Sequence, residues 1–129
     1  MSAQTPPASA PQHQAQARLF KVLMHPARLA ILDILRPGEA CVCHMEAALG
    51  YRQAYISQHL MVLREAGLVQ DRRDGLNVFY RATRPQIFAV MDAARRAAGG
   101  SAAAGRASPA RMRDCPCPHC QTATENVTG

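Results

Sequence analysis

Five cysteines stand out among the residues of this 129-residue chain that could do chemistry. Two are spaced by one residue, Cys41-Val42-Cys43, and three lie within six residues near the end, Cys115-Pro116-Cys117-Pro118-His119-Cys120. Thiolates are soft donors that select soft ions, and closely spaced thiols can also exchange electrons through a disulfide. In a regular helix residues two apart do not face one another. At the start of a helix, however, both side chains can turn toward one ion, and the helix dipole favours the thiolate there. Cys41 and Cys43 are therefore candidate metal ligands, with two small buried apolar residues as the plainer alternative. Cys115, Cys117 and Cys120, with Asp114 and His119 beside them, are the donors that could complete a trigonal or tetrahedral shell. The segment from Ala98 to Cys115 reaches roughly 50 Å when extended, so distance is no obstacle. A thiol oxidoreductase reading of Cys117-x-x-Cys120 lacks the βαβ context that chemistry needs. A redox switch, in which tail and helix cysteines form a disulfide on oxidation, stays open.

The elements that must position these thiols follow from patterning. Residues 1–11 are polar and rich in Pro, Ala and Gln, and read as a disordered arm. Residues 12–98 form one domain and residues 99–129 a flexible linker with the Cys-rich tail. A helical pattern runs from Gln12 to His25. Pro26 suits a first helical position, and Ala27 to Leu35 is a second helix, apolar nearly all round and hence central, stopped by Pro37-Gly38. Cys41 to Leu49 is a short third helix ended by Gly50. Gln53 to Ala66 is a fourth, with Ile56, Leu60 and Leu63 on its buried stripe and Gly67 as its stop. Two strand-like runs, Leu68 to Arg72 and Asn77 to Arg81, flank Asp74-Gly75, a hairpin signal. Arg84 to Ala98 is a last amphipathic helix.

Two helices joined by a short Gly-containing turn and followed by a hairpin predict a mostly α fold with a β-hairpin wing, a winged helix-turn-helix. The net charge of +6 fits a polyanionic partner. Arg52, Gln53, Tyr55, Ser57, Gln58 and His59 cluster near the N-terminal half of the fourth helix, the half that would enter a major groove. There Gln reads adenine edges, Arg guanine edges, and Ser, Tyr and His hold phosphates. Arg72 and Arg73 near the hairpin tip suit a wing on the DNA backbone. The chain has no apolar run of membrane-spanning length, and its N-terminus lacks the apolar core of a secretory signal. A cytoplasmic protein without a membrane partner is expected, and no enzyme. The odd cysteine count in a reducing compartment points away from a paired disulfide framework.

The stretch from His25-Pro26-Ala27-Arg28 to Ile31-Leu32, the run Ile56-Ser57-Gln58-His59-Leu60 through Gly67-Leu68-Val69, and Arg72-Arg73-Asp74-Gly75 leading to Val78-Phe79-Tyr80-Arg81 resemble the ArsR/SmtB family of metal-sensing repressors. The resemblance covers residues 15 to 98. It implies a homodimer built by the first and last helices, a palindromic operator, repression relieved by an inducer, and DNA contacts by Ser57, Gln58 and His59. Cys41-Val42-Cys43 lies where the family's sensors of arsenite, antimonite, cadmium or lead hold their inducer, with zinc a poorer fit. Family arsenic sensors often carry a third Cys shortly after the pair. Here His44-Met45-Glu46 follows, so the tail must supply the missing thiolates. A second family site on the last helix uses Asp and His, and this helix has Asp92 but no His. The competing reading of another class is a metal-sequestering protein whose helices only dimerise.

Overall fold

A computed structural model of the chain describes residues 10–100. Five helices and three short strands follow one another as α1 (Ala10–Leu23), α2 (Pro26–Ile34), β1 (Ala40–Cys41), α3 (Val42–Leu49), α4 (Gln53–Glu65), β2 (Val69–Asp74), β3 (Asn77–Ala82) and α5 (Gln86–Ala97). The predicted winged helix-turn-helix is what forms. Helix α1 begins at Ala10, so the last two residues of the expected arm are helical. Residues 1–9, the linker beyond Gly100 and the cysteine tail lie outside the described residues.

Helix α2 starts where its sequence dictates. His25 is extended and its ring accepts from the Ala27 amide (3.4 Å), while Pro26 takes a first-turn position where its missing N–H costs nothing. The helix is buried at Ala27, Ile31, Leu32, Asp33 and Ile34 and forms the centre of the core with Met45, Ile56, Leu60, Leu63 and Leu68. Among the described residues no helix is long and apolar enough to cross a membrane.

Two expected boundaries change for physical reasons. Cys41 does not open α3 from within. It is extended (φ −84°, ψ 160°), forms β1 with Ala40, and serves as the N-cap of α3, with its thiol sulfur accepting the His44 amide (3.2 Å). The last helix begins at Gln86 rather than Arg84, because Thr83 is used to close the wing. Its amide donates to the Leu68 carbonyl (2.9 Å) and its hydroxyl to the Gly67 carbonyl (2.6 Å).

The sheet is antiparallel in the order β1-β3-β2. Asp74 pairs with Asn77, which leaves Gly75-Leu76 as the two-residue turn. Gly75 has φ +63° and Leu76 a negative φ, the pattern of a turn with Gly at its first central position, so the glycine of the Asp74-Gly75 signal sits one place earlier in the turn than an Asp-Gly turn would put it.

Candidate nucleic-acid interface and thiol site

Helices α3 and α4 are joined by Gly50-Tyr51-Arg52, with Gly50 in the left-handed region (φ +74°) to turn the chain. The buried stripe of α4 is Ile56, His59, Leu60 and Leu63. Its spacing is that of one helical face, so Gln53, Tyr55, Ser57, Gln58, Met61 and Arg64 are left exposed. No side chain caps the start of α4 at Arg52, so the first amides of this helix keep donor capacity that a phosphate could take up. Arg52, Gln53, Ser57 and Gln58 therefore share the N-terminal half of one exposed surface. Tyr55 leans on two rings, Tyr51 (centroids 5.0 Å) and His59 (4.6 Å).

His59 does not share that surface. It is 7% exposed and faces α2. Its Nδ1 accepts from the Arg28 guanidinium (3.1 Å), and its ring lies 4.2 Å from that of His25. Burial, reinforced by the nearby His25 and Arg28 charges, holds its pKa below the ordinary imidazole value. The stripe 56, 59, 60, 63 was readable in the sequence and would have placed His59 inward. Arg28 and His25, which sequence reasoning did not select, complete this cluster.

On the wing, Arg72 and Arg73 point to opposite faces of β2, as neighbours in a strand must. Arg72 is anchored. Its Nε donates to Glu39 (3.0 Å), a second bond runs from Nη2 to the same carboxylate, and the guanidinium lies over the Phe79 ring at 4.9 Å. It thus fixes the wing to the segment before β1. Arg73 is exposed beside the tip.

The thiols meet the wing from beneath. Cys41 is 1% exposed and pairs in register with Phe79 of β3, and Cys43 packs half-buried against the same two residues. The Cys41 sulfur accepts the His44 amide hydrogen bond at the start of α3. Soft ions suit these two sulfurs. Among the described residues, however, no group of three or more Cys, His, Asp or Glu is placed to hold a metal ion. Cys115, Cys117 and Cys120 fall outside the described residues. Asp92 on α5 is engaged by both terminal nitrogens of Arg36 (2.7 and 3.2 Å).

Residues 25–71 match the family described as bacterial regulatory protein, arsR family. The biofilm growth-associated repressor of Agrobacterium fabrum is 44% identical over 77 residues, covering 60% of this chain and 66% of that protein. The arsenical resistance operon repressor of Escherichia coli is 48% identical over 65 residues, covering 50% of this chain and 56% of that protein. The chain thus spans about two thirds of the first and somewhat over half of the second. Among solved structures, the transcriptional repressor BigR from Xylella fastidiosa superposes with a TM-score of 0.64 at 34% identity, over 73% of this chain and 96% of that one. A homodimeric winged helix-turn-helix DNA-binding domain from Mycobacterium bovis, a possible ArsR-family regulator, gives a TM-score of 0.62 at 30% identity over 77% and 91%.

Proposed function

We propose, from the premise that this chain belongs to the arsR family of DNA-binding transcriptional regulators, that it is a homodimeric repressor released from a palindromic operator when a thiophilic metal or metalloid engages Cys41 and Cys43. Membership in a family of DNA-binding regulators sets aside the reading of a metal-sequestering protein that does not bind DNA, and no enzyme is involved.

One observation carries the switch. Cys41 is at once the N-cap of α3 and the ladder partner of Phe79 in the wing. An ion that pulls on its sulfur competes with the His44 amide for the same lone pairs and moves a residue shared by the helix-turn-helix and the wing. The two parts that must sit together on DNA would be disturbed by one ligation event. A coupling of a few kcal/mol between inducer and operator would be enough for release.

The inducer is named by donor chemistry. Arsenite or antimonite takes three thiolates, and cadmium or lead three or four; zinc also accepts a tetrahedral thiolate shell, and it ranks behind the others on the family resemblance of the Cys41-Val42-Cys43 position alone. With two donors beside the wing, the remaining ones come from Cys115, Cys117 and Cys120, on the same or the partner subunit. The protein would work in the cytoplasm, where its thiols stay reduced. In this reading Arg52 at the cap of α4, Gln53, Tyr55, Ser57 and Gln58 on α4, and Arg73 on the wing meet DNA, with Arg72 and His59 supporting them from behind.

The test is operator release titrated against arsenite, cadmium and lead, with thiolate-to-metal absorption read in parallel. The double variant Cys41→Ser, Cys43→Ser should bind operator and ignore all three ions. If it still lets go normally, the mechanism is wrong. The shortfall of local donors also favours a second reading: oxidation joins Cys43, the more exposed thiol, to a tail cysteine, losing two electrons and two protons to a peroxide-class oxidant. Release by peroxide, with no response to metal, would select it.

A further inference from the structure

The side chain of Arg28 bridges two helices that do different jobs. Its Nη1 donates to the Val22 carbonyl in the last turn of α1 (3.0 Å), and its Nε donates to Nδ1 of His59 on α4 (3.1 Å). A guanidinium can only donate, so Nδ1 of His59 is the acceptor and the neutral ring carries its proton on Nε2. That Nε2 is buried and finds no partner among the described residues. The groups facing the ring are His25 at the N-cap of α2, Arg28 in α2 and Tyr55 on its own helix, and no carboxylate is among them. A proton added to Nδ1 would destroy the acceptor that Arg28 uses and place a buried positive charge against the guanidinium.

We infer that Arg28 and His59 are positioning residues for operator binding, in which the neutral His59 ring, held by Arg28, sets the angle of α4 against α1, and protonation of His59 lets α4 shift and weakens the grip on the operator. The inference rests on reading α4 as the recognition helix. In isolation the protein can accommodate the proton by letting α4 move a little. On DNA it cannot, because the two recognition helices of a dimer must match half-sites about one helical turn apart. The proton therefore binds better to the protein off DNA, and by linkage acid lowers operator affinity. Burial and the flanking His25 and Arg28 charges already push the ring toward its neutral form, in the same sense.

The experiment uses the full-length reduced protein and a labelled duplex from upstream of its own gene, with binding followed by fluorescence anisotropy at fixed ionic strength. Between about pH 7.5 and about pH 5.5 the wild type should lose operator affinity severalfold, on the way to the roughly tenfold that one unit of pKa difference supplies at full protonation. His59→Gln keeps an acceptor for Arg28 and does not titrate. Whatever its affinity near neutrality, it should lose most of the pH slope. A scrambled duplex, bound through charge alone, should not weaken on acidification. The inference is overturned if His59→Gln keeps the full slope, or if wild-type operator affinity is unchanged or rises in acid. Should the variant not fold, NMR titration of the His59 ring in the wild type decides. A lower pKa in the operator complex than in the protein alone supports the inference, and an equal or higher one overturns it. Failure of the wild type to prefer operator over scrambled duplex near neutrality would instead refute the reading of α4, and the inference with it.

Discussion

His44 and His59 are buried imidazoles in the two helices of the helix-turn-helix, and burial holds both pKa values below the ordinary 6.5. The sign of the consequence follows from proton counting. As pH falls below 6.5 the unfolded chain takes up protons that the folded chain does not, so stability is complete above that value and is lost through the window below it. The melting temperature should therefore drop between about pH 7 and about pH 5, and the double variant His44→Gln, His59→Gln should show a smaller drop. A double variant with the same acid sensitivity as the wild type would assign that sensitivity to other groups. At this scale the sequence was legible wherever side-chain period decides. Ser57 and Gln58 fall on the exposed face of α4, as their spacing from Ile56 and Leu60 requires. His59 belongs to the same arithmetic, but polar character and family resemblance pointed it outward. Its inward face needs Arg28 as a partner from another helix, and no local pattern announces a partner 31 residues away.

Between elements, the ion network of α2 and α5 is the feature that patterning could not supply. Arg36 donates to Asp33 (2.7 Å) and clamps Asp92 with two nitrogens, while Arg95 returns from α5 to Asp33 (3.0 Å). Burial pulls the Arg36 guanidinium down, but the bonds and charges of Asp92 and Asp33 outweigh it and hold its pKa above its ordinary value. Asp92, which the sequence offered as the remnant of a metal site on the last helix, thus ties that helix to the centre of the fold. Arg36→Met would take from Asp33, only 6% exposed, and from Asp92 the guanidinium they share, with Arg95 still on Asp33. Removing one partner of a buried pair costs roughly 3–5 kcal/mol, and the partial exposure of Asp92 places this case at about 3. Urea denaturation should show that loss, and Arg36→Met combined with Asp92→Asn should recover part of it. The strand β1 was illegible for a related reason. Two residues have no period of their own, and Ala40 and Cys41 become a strand only because Tyr80 and Phe79 lie opposite. That pairing is also what makes Cys41 a residue shared by helix and wing rather than a residue inside the helix.

For the whole molecule, the outward face of α1 and α5 is the part that a single chain leaves unfinished. Phe20 is 48% and Met24 77% exposed, and they border an open cleft of about 400 Å³ lined also by Leu23, Leu29, Val90 and Met91. Exposed apolar groups gathered in one place mark an association surface. The sequence predicted dimerisation through the first and last helices from resemblance alone, and the geometry adds a reason. Arg28 ties α1 to α4, and Arg36 ties α5 to the end of α2, which packs on α4, so pairing of two copies across this face would fix the separation of two recognition helices. Placing a carboxylate in this apolar face, as in Phe20→Glu with Met24→Glu, should give a folded monomer in sedimentation at micromolar concentration. Each half-site would then be bound alone. Operator affinity should fall by far more than the two added negative charges explain, since the loss of avidity alone is on the order of a hundredfold or more. A half-site duplex separates the two effects: the monomeric variant and the wild type should differ little on it. If the variant stays dimeric, or if its operator affinity falls no further than its half-site affinity, the two reading heads are not coupled through α1 and α5.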